Sequence, residues 1–157
     1  MKIAIGSDHA GFEYKAAISK LLKDLGHDVH DLGTYSTDPV DYPLFIRPVA
    51  LAVAAGEAER GIVLGGSGNG EAIVANRVHS VRCALCWSLE SAKLSRQHND
   101  ANVLSLGARM YPLPDALGFA RVFIETAFSG EARHARRLEM IADYEKTGEL
   151  PPLPGAG

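Results

Sequence analysis

The chain has 157 residues, 46% hydrophobic and 22% charged, with 16 basic side chains against 19 acidic ones for a formal charge of -3. That is the size of one ordinary domain with a sizeable core, and its mild acidity argues against nucleic acid as the main partner. No apolar run approaches the roughly 18 residues of a membrane span. The opening "MKIAIGSDHAG" enters a strand-like run with no signal-peptide apolar core, so the expected compartment is the cytoplasm, with no membrane partner.

Along the chain, short apolar runs alternate with helical patterns. "KIAIG" reads as a buried strand, and "FEYKAAISKLLKDLG" as an amphipathic helix stopped by Gly26. "HDVHDLG" is a weaker strand. "DYPLFIRPVALAVAAG" reads as a helix with Asp41 as its cap and Pro43 in the first turn, and Pro48 inside it predicts a kink or a later start. "RGIVLGG" is a third strand, "GEAIVANR" a helix and "VRCALCW" a fourth strand. "SLESAKLSRQHN" is a helix capped by Ser88, and "NVLSLG" is a fifth strand. Helices follow over 115–128 and 131–146. Residues 1–150 form the expected single domain; the Pro/Gly-rich tail, 151–157, is expected to be disordered.

Strand–helix alternation of this kind specifies a single α/β domain: a three-layer α/β/α sandwich around a five-stranded, parallel, Rossmann-like sheet. Ligands of such sheets bind outside the carboxyl ends of the strands. That rule gathers Ser7, Asp8 and His9, then Gly65 to Glu71, then Arg109, at one edge.

The stretch "VLGGSGNGEAIVANR" (Val63 to Arg77) carries the chemistry. Gly66, Gly68 and Gly70 let the backbone turn sharply and approach a ligand, and the amides from Ser67 to Gly70 open a helix at its positive end. A dinucleotide fingerprint belongs after the first strand, so the motif reads as an anion or oxyanion cradle. Glu71 is then either a first-turn acid complementing the helix dipole or a general base beside an oxyanion hole. The second pairing suits removal of a proton from carbon next to a carbonyl. The dipole lowers the carboxyl pKa by less than roughly one unit, and desolvation can outweigh it.

Other candidates carry two readings each. Asp8 and His9 are a cap and a surface histidine, or site residues. His98 and Asn99 end a helix, where a histidine is often only a favourable C-terminal charge. Arg133 and Arg137, four apart, share a helix face and suit a phosphate, with Arg109 a third candidate; a solvated basic face is the plainer explanation. Cys83 and Cys86 form C-x-x-C. In a strand such positions lie about 10 Å apart on opposite faces, too far for a disulfide, and no second C-x-x-C completes a zinc shell. They read as two packed thiols.

"GSDHAG" (Gly6 to Gly11), "DYP" (Asp41 to Pro43), "GGSGNGEAIVANR" (Gly65 to Arg77), "RQHNDANVLSLGAR" (Arg96 to Arg109) and "RHARRLEMI" (Arg133 to Ile141) together resemble the type B ribose-5-phosphate isomerases, which group with the galactose-6-phosphate isomerase subunits. The resemblance covers everything before Pro151. It implies interconversion of ribose 5-phosphate and ribulose 5-phosphate through a cis-enediolate, in the non-oxidative branch of the pentose phosphate pathway, without metal or organic cofactor. One branch of the family has a catalytic cysteine at the position of Gly65; this sequence looks like the other, with Glu71 as the base. Ser67 then matches the residue orienting the base. The backbone of Gly66, Gly68 and Gly70, with Asn99, matches the enediolate hole. His98 and Asp8 match the ring-opening pair, and His9, Arg109, Arg133 and Arg137 the phosphate ligands. Tyr42 matches a residue lining the sugar. The resemblance further implies a homodimer, or a dimer of dimers, with sites shared between subunits. The alternatives are a six-carbon aldose 6-phosphate as substrate, a non-catalytic sugar-phosphate sensor, and a metal hydrolase built on Asp8, His9 and His98.

Overall fold

The computed structural model describes residues 1–155. The first apolar run forms β1 (Lys2–Ser7), buried from Ile3 onward. Helix α1 (Phe12–Asp24) ends where the sequence places its stop. Gly26 adopts φ 85°, its N–H donates to Lys23 O (2.9 Å), and His27 N–H donates to Leu22 O (3.0 Å). These two bonds close a Schellman turn, which requires the left-handed conformation that glycine adopts without strain. The chain continues through β2 (Asp28–Asp31), α2 (Pro43–Ala54), β3 (Arg60–Gly65), α3 (Asn69–Ala75) and β4 (Cys83–Leu85). It ends with α4 (Leu89–Asn99), β5 (Val103–Gly107), α5 (Leu113–Glu125) and α6 (Ala132–Thr147).

All five strands pair in parallel in the order β2-β1-β3-β5-β4. Ile5, Ile62 and Leu104 are register partners across three strands, and Ala4, Gly61 and Val103 form the neighbouring row. The two rows point to opposite faces, because strand side chains alternate. One face is covered by Ile18, Leu22, Phe119 and Phe123 of α1 and α5, the other by Ile46, Val49 and Val53 of α2. Each buried Ile, Leu, Val or Phe side chain stabilises the fold by about 1.5–3 kcal/mol before entropy is set against it. Both faces are apolar because both are covered.

Three boundaries depart from the sequence expectations. Asp41 does not cap α2. Tyr42 already has helical φ/ψ, and the first turn closes on the backbone carbonyls of Asp41 and Tyr42, with no side-chain cap bond. Pro48 does not delay the helix, which starts at Pro43 and runs through it to Ala54. Leu44, whose carbonyl loses its helical donor there, is 69% exposed, so water can serve it. Strand β4 keeps only three residues of "VRCALCW". Side chains take over its flanking backbone: Asn76 bonds both the N–H and the C=O of Cys83, and Asn102 Oδ1 accepts from Arg82 N–H. Cys83 and Cys86 are free thiols pushed up in pKa by burial, as the packed-thiol reading expects. Within the tail, 151–155 carries no helix or strand and is exposed, while 156–157 lies outside the described residues.

Candidate active site

The strand order reverses between β1 and β3, so the loops leaving those strands diverge and open a crevice at their carboxyl ends. A cleft of about 470 Å³ lies there, lined by Asp8, Tyr42, Gly66, Ser67, Gly70, Glu71, Arg109 and Met110. Each of the three segments that the sequence rule gathered to one edge contributes to it, through Asp8, through Gly66, Ser67, Gly70 and Glu71, and through Arg109.

Glu71 stands in the first turn of α3 and is 3% exposed. Its carboxylate lies directly over Gly65: a Cβ on that glycine would sit inside the carboxylate, 2.7 Å from Oε2 and closer still to Oε1 and Cδ. Gly65 carries no positive φ, so a glycine is needed there for space and not for backbone conformation. Burial raises the Glu71 pKa above the ordinary carboxylate range, opposed by the backbone N–H groups of Glu71 and Gly68, with the nearby Asp8 charge adding to the rise. Desolvation thus already outweighs those two amides in the free chain.

The glycine turn is built for close approach. Gly68 adopts φ 80° and opens α3, and buried Ser105 of β5 donates its hydroxyl to Gly68 O (2.7 Å), pinning the turn to the sheet. A side chain on Gly70 would strike the Tyr42 ring, which therefore lies against the turn. Arg109 lies over Gly66, near enough to touch a Cβ there, and its N–H donates to Gly66 O (3.0 Å). Asp8 is buried and accepts from Gly11 N–H (3.0 Å), so it serves as a turn cap while lining the cleft. His9 Nδ1 accepts from Val40 N–H (3.2 Å), which leaves Nε2 as the protonated nitrogen. Ser67 departs from its expected partner. Among the described residues its Oγ bonds the backbone and side-chain amides of Asn69 (3.3 and 3.2 Å) and not Glu71, because those amides are two residues away in the same turn.

The remaining candidates lie elsewhere. Helix α4 returns from the carboxyl to the amino edge of the sheet, so His98 and Asn99 at its end sit beside the start of β5. Arg82 Nε, at the foot of β4, donates to Asn99 O (3.0 Å). The length of β5, roughly 15 Å, separates them from the cleft. Beside His98 stand Arg133, His134 and Arg137 of α6: the His98 and His134 rings stack at 4.3 Å, and both arginines are exposed. The candidates of one chain therefore fall into two groups, one at each edge of its sheet. His98 is in consequence remote from Asp8 and His9, and among the described residues no three His, Cys, Asp or Glu are grouped to hold a metal.

Sequence reasoning missed His134, which hides between the two arginines whose spacing drew attention, and is noticeable only once α4 packs on α6. It also gave no role to Arg96, two residues before His98, which is 1% exposed and structural. Its guanidinium donates to Ala101 O (2.6 Å) and Thr126 O (3.1 Å) and pairs with Asp100 (2.7 Å), fixing the turn that presents His98.

A doubly wound parallel sheet with a desolvated carboxylate in a glycine-lined crevice at its switch point defines an α/β protein with a candidate small-molecule site at the carboxyl edge of its strands. More particularly, the chain belongs to the ribose/galactose isomerase family, which it matches over residues 3–141. It is 46% identical over 157 residues, 99% of either chain, to the ribose-5-phosphate isomerase B of Mycolicibacterium paratuberculosis. Its fold is similar to that of Clostridium thermocellum ribose-5-phosphate isomerase B, with a TM-score of 0.91 and 45% identity over 95% of this chain and 100% of that one. It is also similar to the Mycoplasma genitalium ribose-5-phosphate isomerase B with bound ribulose-5-phosphate, with a TM-score of 0.88 and 38% identity over 93% of this chain and 97% of that one.

Proposed function

We propose that this protein interconverts ribose 5-phosphate and ribulose 5-phosphate in the cytoplasm, with Glu71 as the general base. The observation that carries the reading is the buried Glu71 carboxylate, folded over Gly65 in a cleft that also presents Asp8, Ser67, Gly70 and Arg109. The same packing supports the glutamate branch of the family: a side chain at position 65 and the Glu71 carboxylate claim one volume, so only one of them can hold the base.

The active unit is a homodimer. Two copies related by a two-fold axis bring the cleft of each against the His98 edge of the other, completing two sites from two half-sets. His9 and Arg109, with Arg133 and Arg137 of the partner subunit, hold the phosphate as a charged anchor whose binding energy positions C1 and C2. His98 of the partner subunit protonates the ring oxygen while Asp8 takes the C1 hydroxyl proton, giving the open aldehyde. Glu71 removes the proton on C2, the electrons move to O1, and the proton returns to C1 as the O2 hydroxyl proton passes to O1. Gly68 N–H already serves the Glu71 carboxylate and Asn69 N–H serves Ser67. The amides of Ser67 and Gly70, with Asn99 of the partner subunit, are therefore left for the enediolate oxygen. Ser67 acts by holding the turn through Asn69.

Isomerisation in heavy water with a chelator present tests the reading. The expected result is activity with deuterium incorporated at the transferred position, and loss of both in Glu71→Gln with substrate binding kept. Activity abolished by chelation, or turnover retained by Glu71→Gln, overturns it.

A further inference from the structure

Helix α6 buries one residue of its sixteen, His134, and buries it against the half-buried His98. The two rings are 4.3 Å apart between centroids and tilted by 36°. His134 Nδ1 lies 2.8 Å from Ser129 Oγ, which itself accepts from Glu131 N–H (3.3 Å); Ser129 N–H donates to Gln97 O (3.1 Å), next to His98 on α4. Ser129 thus ties the His134 ring to the start of α6 through its hydroxyl and to the end of α4 through its backbone. Nothing in the isomerase chemistry set out above uses this buried imidazole.

We propose that His134 is a positioning residue that holds His98 in place and aims it at its partner's cleft. The inference rests on the reading of His98 as the ring-opening acid. Two stacked imidazoles do not both carry charge. The groups facing His134 are His98 on α4, Arg133 and Arg137 on α6, and Glu131 at the start of α6. Three of the four disfavour a proton on His134, and burial does the same. The His134 ring therefore stays neutral and packs as a wall against the half-buried His98. Ser129 fixes the His134 ring from the far side, so the loop before α6, the end of α4 and the acid form one rigid unit. This explains why the sole buried side chain of an otherwise solvent-facing helix is an imidazole and not a leucine.

The test separates ring opening from proton transfer on carbon. Ribulose 5-phosphate has its C5 hydroxyl blocked and is acyclic, so solvent-deuterium exchange at its C1 needs Glu71 and no ring chemistry. His134→Ala is expected to lower kcat/KM on ribose 5-phosphate by roughly 10- to 100-fold, less than loss of a general acid itself. Exchange into ribulose 5-phosphate and inhibition by inorganic phosphate should stay within about threefold of the parent enzyme. His134→Phe, which restores a ring against His98, should recover part of the loss. Ser129→Ala should move the same quantities in the same direction by a smaller factor, which covers an unstable alanine variant. Equal loss of exchange and conversion, or no recovery in His134→Phe, overturns the proposal. His98→Asn is the control on the underlying reading. If that variant still converts ribose 5-phosphate at the parent rate, the role of His98 fails; if it loses conversion but keeps exchange, the failure of a His134 variant counts against His134 alone.

Discussion

Gly65→Ala isolates the packing on which the proposed chemistry depends. The added methyl would lie within 2.7 Å of all three carboxylate atoms of Glu71, and ordinary contact begins near 3.5 Å. The backbone of β3 is fixed by pairing with β1 on one side and β5 on the other, so it cannot retreat. The carboxylate must therefore move by roughly 1–2 Å, and it gives up the amides of Glu71 and Gly68 in doing so. Misplacing a reacting group by about 1 Å costs on the order of 100-fold in rate, or about 2.7 kcal/mol in the barrier. Overpacking should cost stability by only about 1–3 kcal/mol, so the variant folds. The assay is steady-state conversion of ribose 5-phosphate, with thermal unfolding as the check on folding. We expect kcat to fall about 100-fold and KM to change less than threefold, because none of the proposed phosphate ligands lies over position 65. In a Glu71→Gln background the same substitution should cost nothing further, since the base is already gone. A Gly65→Ala enzyme with the parent kcat would refute the claim that this packing sets the base.

Further outcomes follow from the same geometry. Glu71 must be ionised to act, and its pKa is raised by burial, so the acid limb of kcat/KM should lie above the ordinary carboxylate range and vanish as a titration in Glu71→Gln. The stability effect runs the other way. A carboxyl whose folded pKa exceeds its unfolded value binds protons more readily when folded, so it loses stability as pH rises between the two values. Glu71→Gln should accordingly raise Tm at neutral pH and give no gain at pH values below the unfolded carboxylate pKa, as thermal scans across pH will show. Arg137→Ala should raise KM for ribose 5-phosphate and weaken inhibition by inorganic phosphate, with kcat less affected; an unchanged KM contradicts the anchoring role. Co-expressed Glu71→Gln and His98→Asn chains should recover up to about a quarter of the parent activity, because mixed dimers carry one intact composite site. No recovery would place both residues in the same site of a single chain.

The order and type of all five strands were legible in the sequence, because apolar runs bounded by glycine and alternating with helical periods admit one architecture. Helix ends were legible where side-chain chemistry sets them, as at Ser88, whose hydroxyl accepts from Ser91 N–H while Ser91 Oγ accepts from Ser88 N–H. They were missed where backbone carbonyls do the capping, as at Asp41, or where exposure forgives a proline, as at Pro48. Edge strand β4 is short, and at its start Asn76 and Asn102 supply by side chain the backbone partners of Cys83 and Arg82.

The glycine spacing, the acid at position 71 and the strand-end rule sufficed to assemble Asp8, Gly66 to Glu71 and Arg109 at one edge, since local periodicity and strand direction are properties of the chain itself. Two matters were decided only in three dimensions. One is that Glu71 is buried over Gly65 and raised in pKa, which depends on the register of β3 against the turn of α3 and on what excludes water there. The other is that His98, Asn99, Arg133 and Arg137 lie at the opposite edge, joined to a buried His134. Desolvation and side-chain stacking depend on distances between segments far apart in sequence, and no pattern within either segment encodes them.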